Sequence, residues 1–331
     1  MSLSEFDVIK KYFCRDVSTE DSTVVLGIGD DCAILDVPEG HQLLISTDTL
    51  VAGIHFFEDV DAYRLGYKAL AVNLSDLSAM GAEPKWISLA ITLPNVDADW
   101  LARFSNGFFD LAAKHNVTLI GGDTTKGPLS ITVSVQGIVP KNTALLRSQA
   151  KVGDIICVSG SLGDGALGLA YQLSNKSLKL ANAQAFVDKL ELTDPRVKLG
   201  LLLRGMAHSC IDISDGLTQD LTHILNASHC CAQIDVETLP LSEALQQELD
   251  LGNIKGEQAL HYALTGGDDY ELLFTLPEEM FGSLQQSIPE LRLTAVGKVI
   301  APQASKIQLT KHKKAFSLTL SGWDHFKKDG E

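Results

Sequence analysis

The sequence predicts an α/β protein built from two domains. The chain has 331 residues with 45% hydrophobic content, which is long for one core and enough for two domains of ordinary size. Short apolar runs, which suit strands, alternate with longer stretches whose apolar residues recur at helical spacing. A polar connection at Lys141–Gly153 places the boundary near residue 150. We therefore expect an N-terminal domain over 1–150 and a C-terminal domain over 151–331.

The N-terminal domain is predicted to have the order βαβαββ. A helix at 5–13 and an apolar run at Val24–Leu26 come first. Strands follow at Leu43–Thr47, Trp86–Leu93, Val117–Ile120 and Leu129–Val139, with helices at 61–80 and 97–115. Within the first long helix Asn73 and Asp76 are three residues apart, so they share a face.

The C-terminal domain is predicted to alternate strands with helices. Strands are expected at Asp154–Ser159, from Cys210, and at Ala232–Val236, Tyr270–Leu276, Leu293–Val299 and Ile307–Thr310. Gly163–Gly168 matches the dinucleotide fingerprint G-x-G-x-x-G. That fingerprint needs a second strand and an acidic residue within a compact βαβ unit, yet 175–207 is typical of a polar loop and two helices. We therefore interpret the glycines as packing a helix close to its strand.

Composition excludes several classes of function. The net charge of -15 disfavours binding to nucleic acid or to an anionic membrane. The six cysteines lack Cys-x-x-Cys spacing, which supports neither a zinc site nor a disulfide framework. No apolar run approaches the roughly 20 residues of a membrane span, and the first residues do not resemble a signal peptide. We expect a cytoplasmic protein.

Aspartates recur in short motifs, most of them directly after an apolar run. The motifs are Gly27–Asp31, Ser46–Asp48, Asn73 with Asp76, Gly121–Asp123, Asp212 with Ser214–Asp215, and Gly266–Asp269. Acids placed where strands end are expected to converge on one crevice of an α/β sheet. Two like charges about 4 Å apart repel by about 4 kcal/mol at an effective dielectric near 20, so such a cluster needs cations. The motifs thus indicate a Mg²⁺ and phosphate site.

Simpler interpretations exist for individual motifs. A single Gly-Asp pair is an ordinary turn, and Ser214 or Asp215 suits the cap of a helix that begins near Leu217. The chain contains no G-x-x-x-x-G-K-[ST] loop and no protein-kinase motif set. Any nucleotide chemistry must therefore use another scaffold.

The motifs resemble those of the thiamine-monophosphate kinase family, in order and over almost the whole chain. The residues that carry the resemblance are Gly27–Asp31, Ser46–Asp48, Asn73–Asp76 with Met80–Pro84, Leu119–Thr125, Ile211–Gly216 and Gly266–Leu272. The family belongs with aminoimidazole ribonucleotide synthetase and selenophosphate synthetase. The resemblance implies a two-domain fold whose N-terminal sheet pairs with that of a second copy in a homodimer.

The resemblance also implies roles for particular residues. Mg²⁺ would be held by Asp30, Ser46, Thr47, Asp48, Asp76, Asp123, Asp212 and Asp215. ATP would contact Gly122, Asp123, Arg147 and Ser214, and the thiamine phosphate would contact His55, Asp268 and Trp323. Among these, Asp48, Asp76, Asp123, Arg147 and Asp212 would be catalytic. One departure is visible: the family usually has Glu where this chain has Asp268, a carboxylate shorter by one methylene.

The implied reaction is direct, in-line transfer of a phosphoryl group from ATP to thiamine monophosphate. Other ATP-dependent synthetases of the superfamily are alternatives, although Cys14 lacks the glycine-rich surroundings that selenophosphate synthesis requires. A further alternative is a non-catalytic protein that binds Mg²⁺ and nucleotide.

Overall fold

The computed structural model describes residues 4–14, 23–29 and 31–318. The chain divides into two compact units, Met1–Ala144 and Leu145–Glu331. This division falls a few residues before the expected boundary, because the connection already packs with the C-terminal unit. Leu145 is buried, and the carbonyl of Leu146 accepts a hydrogen bond from Cys210 N at 3.3 Å. Within the described ranges, none of the helices combines the length and apolar character needed to cross a membrane.

The N-terminal unit contains a four-stranded sheet, a small hairpin and two long helices. The helices are α1 (Glu5–Val8), continued by a π-helical turn at Ile9–Phe13, α2 (Ala62–Ala79) and α3 (Ala98–Lys114). The strands are β1 (Val24–Leu26), β2 (Ile34–Leu35), β3 (His41–Val51), β4 (Glu83–Leu93), β5 (Thr118–Lys126) and β6 (Ser130–Pro140). The sheet has the order β3-β6-β4-β5, in which only β4 and β5 are parallel, and β1 pairs with β2. From β3 onward the order is the predicted βαβαββ.

Two strands of this sheet are longer than predicted. The expected strand end at Asp48 is wrong, because β3 continues through Asp48 to Val51. The expected end before Gly121 is also wrong, because β5 continues through Asp123 to Lys126. Glycine and aspartate disfavour strands locally, but pairing along the full length of β6 and β4 outweighs that preference.

The C-terminal unit contains a seven-stranded mixed sheet with helices. The strands are β7 (Ile155–Ser159), β8 (Ser209–Asp212), β9 (Cys231–Asp235), β10 (Leu272–Leu276), β11 (Leu293–Ile300), β12 (Ile307–Lys311) and β13 (Lys314–Phe316). The helices are α4 (Asp164–Leu173), α5 (Ala183–Glu191), α6 (Val197–Leu203), α7 (Leu217–Ala227), α8 (Glu243–Asp250), α9 (Gly256–Thr265) and α10 (Glu278–Ser287), with a 3₁₀ turn at Arg147–Gln149. The sheet order is β13-β12-β9-β11-β7-β10-β8, and only β9 and β12 pair in parallel.

The glycine fingerprint after β7 does not belong to a dinucleotide-binding unit. β10 lies between β7 and β8, so these two strands do not form an adjacent parallel pair. A Cβ at Gly165 would collide with the carbonyl of Asp268, and a Cβ at Gly168 would collide with the carbonyl of Phe186. The missing side chains at these glycines therefore let α4 pack closely against α5 and against the segment before β10. We expected them to let the helix pack closely against the preceding strand.

Two glycines determine how closely α2 and α3 cross. A Cβ at Gly66 would collide with the carbonyl oxygen of Phe104, and a Cβ at Gly107 would collide with that of Tyr63. Only a residue without a side chain allows such backbone contact. The close crossing buries Phe104 and Phe108 completely, and it keeps α2 in place against β3 and β6.

Gly107→Ala is expected to lower the free energy of unfolding by about 1–3 kcal/mol, because the helices must separate to admit a methyl group. In an uncrowded helix the same substitution would raise the free energy of unfolding by up to about 1 kcal/mol. The sign of the change therefore shows whether the helices are crowded at Gly107. Denaturant titration measures the change. Gly282→Ala in α10 is the matched control, because a Cβ there meets nothing within 4 Å. An equal loss in both variants would contradict the explanation.

Candidate active site

In the N-terminal unit, β3 and α2 bring four polar side chains together. Alternation along β3 turns Ser46 and Asp48 toward α2. The Ser46 hydroxyl donates to Asp76 Oδ2 at 2.5 Å, and Asp48 N donates to Asn73 Oδ1 at 3.1 Å. Asn73 and Asp76 thus share the predicted face of α2, and that face meets β3.

Asp48 is the electrostatically strained member of this group. Burial, and after it the negative charge of Asp76, raise the pKa of the Asp48 carboxyl to about 6. A cation placed beside both carboxylates would favour their ionised forms. Oxygen donors of this kind fit Mg²⁺. Among the described residues, however, no group of three or more His, Cys, Asp or Glu side chains lies close enough together to hold a metal.

Thr47 and Asp123 lie on the other face of the same sheet. The hydroxyl of Thr47 donates to Ser134 Oγ at 2.9 Å, and Asp123 is exposed beside Ala90. Their strands, β3 and β5, are opposite edges of the four-stranded sheet, roughly 14 Å apart at normal strand spacing. One copy of this unit therefore does not bring Asp123 next to Asp48. The assignment of Asp123 and Gly122 to metal and ATP stays a prediction.

His55 lies just beyond β3. Its Nδ1 accepts a hydrogen bond from Val51 N at 3.0 Å, so a neutral ring carries its proton on Nε2. The half-buried imidazole therefore has a fixed orientation rather than being a loose surface group. Two other predicted site residues, Asp30 and Trp323, lie outside the described residues.

In the C-terminal unit, Asp212 ends β8 as predicted, and a turn at 213–216 leads into α7. The simpler interpretation, in which Ser214 or Asp215 caps α7, is wrong. The N-cap residue is Gly216, and no side chain of the cap residue closes the helix. The Ser214 and Asp215 side chains are half-buried.

Asp220, in the first turn of α7, supports this segment, and the sequence patterns missed it. Its Oδ2 accepts hydrogen bonds from the backbone N–H groups of Ser214, Asp215 and Gly216, each at 3.1 Å. Burial raises the pKa of Asp220 to about 7, although two of these donors act in the opposite direction. An acidic residue in the first helical turn was the available signal, since such residues satisfy free N–H groups at helix starts.

The Gly-Gly-Asp-Asp-Tyr-Glu segment contains one half-buried carboxylate and two buried ones. Asp268 is half-buried, whereas Asp269 and Glu271 are fully buried. Both carboxylate oxygens of Asp269 accept from Gly163 N at 3.0 Å. Glu271 accepts from Ser159 Oγ at 2.5 Å and from Lys189 Nζ at 2.7 Å. Two acids of the motif therefore support the fold, and Asp268 is the one whose side chain is partly exposed.

Arg147 occupies the 3₁₀ turn that opens the C-terminal unit. Its side chain is exposed, while its carbonyl accepts from Ser228 Oγ at 2.8 Å. The hydrogen bond anchors the backbone from which this exposed side chain starts. A planar, permanently charged group of this kind suits phosphate oxygens.

The fold and these carboxylate motifs define a class of protein. Residues 29–139 match the family described as AIR synthase related protein, N-terminal domain, and residues 151–309 match its C-terminal domain. The chain is 46% identical to the thiamine-monophosphate kinase of Haemophilus influenzae over 332 residues, which cover 99% of each chain. This chain belongs to the thiamine-monophosphate kinase family.

Solved structures agree with this assignment. The thiamine-monophosphate kinase of Stenotrophomonas maltophilia is 41% identical with a TM-score of 0.84, covering 96% of this chain and 99% of that one. A structure described as AaThiL complexed with AMPPCP and TMP is 30% identical with a TM-score of 0.77, covering 97% of this chain and 96% of that one. The predicted two-domain α/β fold of this superfamily is thereby confirmed.

Proposed function

We propose that this chain transfers the terminal phosphoryl group of ATP directly to thiamine monophosphate, forming thiamine diphosphate. The observation that carries the proposal is the full-length similarity to named thiamine-monophosphate kinases, one of them solved with AMPPCP and TMP. The acceptor is a phosphate monoester with a second pKa of about 6. It is largely anionic at neutral pH, so the chain does not need a strong general base.

In this reaction the chain's own residues position the substrates and neutralise the negative charge of their phosphates. We assign Mg²⁺ to the oxygen donors of the two units, with Asp48 and Asp76 in the N-terminal unit and Asp212 and Asp215 in the C-terminal unit. Bound Mg²⁺ would offset the charge of the phosphate oxygens. The exposed guanidinium of Arg147 is suited to the same oxygens. The remaining proposed metal ligands are Asp30, Ser46, Thr47 and Asp123.

ADP release across a panel of acceptors tests this function. With ATP and Mg²⁺, thiamine monophosphate should support turnover, while unphosphorylated thiamine should be poor because it lacks the anion. Selenide and the ribonucleotide substrate of aminoimidazole ribonucleotide synthesis test the superfamily alternatives. ATP binding without turnover on any acceptor would favour a non-catalytic nucleotide-binding protein.

Trp323→Ala is expected to raise the KM for thiamine monophosphate much more than the KM for ATP. The proposed contact is between the indole and the cationic thiazolium, which contributes about 0.5–2 kcal/mol and involves no phosphate. Steady-state kinetics with each substrate varied in turn measures the difference, and ATP serves as the internal control. Equal changes in both KM values would remove Trp323 from the acceptor site.

We further propose a homodimer in the cytoplasm, where ATP is available. Exposed apolar side chains lie on the N-terminal hairpin and on the outer face of β3, including Ile34 and Ile45, which are 51% and 63% exposed. Pairing with a second copy would cover such a surface. The mass in solution, measured by light scattering after size-exclusion chromatography, tests this proposal.

A further inference from the structure

The turn that follows β8 is held by hydrogen bonds to one carboxylate, that of Asp220. Three consecutive N–H groups, at Ser214, Asp215 and Gly216, converge on Asp220 Oδ2 at 3.1 Å each. Asp220 is itself 3% exposed, so water does not compete effectively for these donors. The conformation of the turn therefore depends on an acceptor that is proposed to touch neither substrate nor metal.

The same turn holds the segment before β10 from its other side. Its carbonyls accept hydrogen bonds from that segment: Ser214 O from Asp268 N at 2.9 Å, and Ile213 O from Tyr270 N at 2.7 Å. Asp268 and Tyr270 have φ values of 63° and 49°. Residues with side chains rarely adopt this left-handed conformation, so the surrounding contacts must maintain it.

The turn after β8 and the segment before β10 are in close backbone contact. A Cβ at Gly267 would collide with the carbonyl oxygen of Ser214, and a Cβ at Gly216 would approach the carbonyl oxygen of Thr265 to 2.7 Å. In addition, Thr218 Oγ1 donates to Leu264 O at 2.9 Å. A displacement of the turn must therefore displace the segment that carries Asp268.

We propose that Asp220 is a positioning residue for both substrates of the reaction. Asp220 directly holds Ser214 and Asp215, which are assigned to nucleotide and metal. Through the Ser214 carbonyl it also holds Asp268, which is assigned to the acceptor. This inference deepens the proposed function and rests on its assignment of those three residues. Displacements of about 1 Å are enough to lower rates by about 100-fold, so a carboxylate without ligand contact can control both binding steps.

Asp220→Ala in the full-length enzyme tests the proposal. The dissociation constants of Mg²⁺–AMPPCP and of thiamine monophosphate, each measured by calorimetry, should both rise at least about tenfold, and kcat/KM should fall about 100-fold. Asp220→Asn keeps an oxygen acceptor and should recover much of both affinities, apart from the charge-assisted share of the hydrogen bonds. Loss of stability alone would leave both dissociation constants unchanged.

Asp154→Ala is the matched control. Asp154 is also buried, at 4% exposure, and accepts hydrogen bonds from Lys151 N and His208 Nδ1, both at 2.9 Å. It precedes β7, at the opposite end of the sheet from the turn. Its removal should lower the melting temperature without changing either dissociation constant.

Each outcome decides the question. Parallel weakening of both ligands in Asp220→Ala, but not in Asp154→Ala, supports the proposal. Weakening of one ligand only, or equal effects in the control, overturns it. If Asp220→Ala does not fold, Asp220→Asn takes its place: loss of the negative charge should weaken both ligands by a similar, smaller factor, and weakening of only one ligand, or of neither, overturns the proposal. A wild-type enzyme that binds AMPPCP but not thiamine monophosphate would refute the proposed function instead.

Discussion

Asp76→Asn is expected to lower kcat/KM by about 10²–10³-fold, or about 3–4 kcal/mol of transition-state stabilisation, on the scale of a lost metal or oxyanion contact. The carboxylate of Asp76 accepts from Ser46 at 2.5 Å and raises the pKa of the neighbouring Asp48. An amide still accepts the serine hydrogen bond, so the local geometry should persist. What disappears is the negative charge that a hard cation requires.

The same substitution should not destabilise the metal-free protein. Removing the charge of Asp76 relieves its repulsion with Asp48, whose raised pKa reflects burial first and Asp76 second. A loss of activity with unchanged or higher free energy of unfolding would separate a functional charge from a structural one. Activity is measured over a Mg²⁺ titration and after addition of a chelator.

Asp110→Asn is the control for this prediction. Asp110 is an exposed aspartate of α3 that accepts from the Tyr63 hydroxyl at 2.9 Å, and it should retain wild-type kinetics. Wild-type activity and Mg²⁺ dependence in Asp76→Asn would show that the metal site lies elsewhere.

Glu271→Gln is expected to lower the free energy of unfolding by about 3–5 kcal/mol, because it removes the buried carboxylate charge that Lys189 and Arg196 share. Glu271 is fully buried. Its carboxylate accepts from Arg196 Nε and Arg196 Nη2 at 2.6 Å each and from Lys189 Nζ at 2.7 Å. A denaturant titration at neutral pH measures the loss. Glu278→Gln, at an exposed pair with Lys298, should cost less than about 1 kcal/mol.

The pH dependence of stability provides an independent check on Glu271. Burial alone would raise its pKa, but the charges and hydrogen bonds of Lys189 and Arg196 outweigh burial and lower the pKa to about 2. A carboxyl with a depressed pKa stabilises the fold above its ordinary pKa of about 4.3, and this contribution is lost as the pH falls toward 2. Wild-type stability should therefore decline over that range, and Glu271→Gln should lack this component. Parallel acid profiles for the two proteins would contradict the ion-pair network.

Local signals in the sequence determined much of this protein. Hydrophobic periodicity identified the alternation of strands and helices in both units, and the spacing of Asn73 and Asp76 correctly put them on one face of α2. The motifs Ser46–Asp48 and Asp212–Gly216 pointed to a family whose members match this chain over its full length. These features are encoded within a few residues, so they can be inferred without knowing which segments pair.

Only the tertiary structure decided which acidic side chains are buried, which are paired and which are exposed. Pairing with β4 and β6 extended two strands through Asp48 and Asp123 and put these residues on opposite faces of one sheet. Burial against distant partners made Glu271 an ion-pair centre and Asp220 an acceptor for three backbone donors. Aspartates in turns, in cores and in metal sites can all have the same local sequence pattern. Their surroundings differ through contacts distant in sequence, which set both their solvation and their charge.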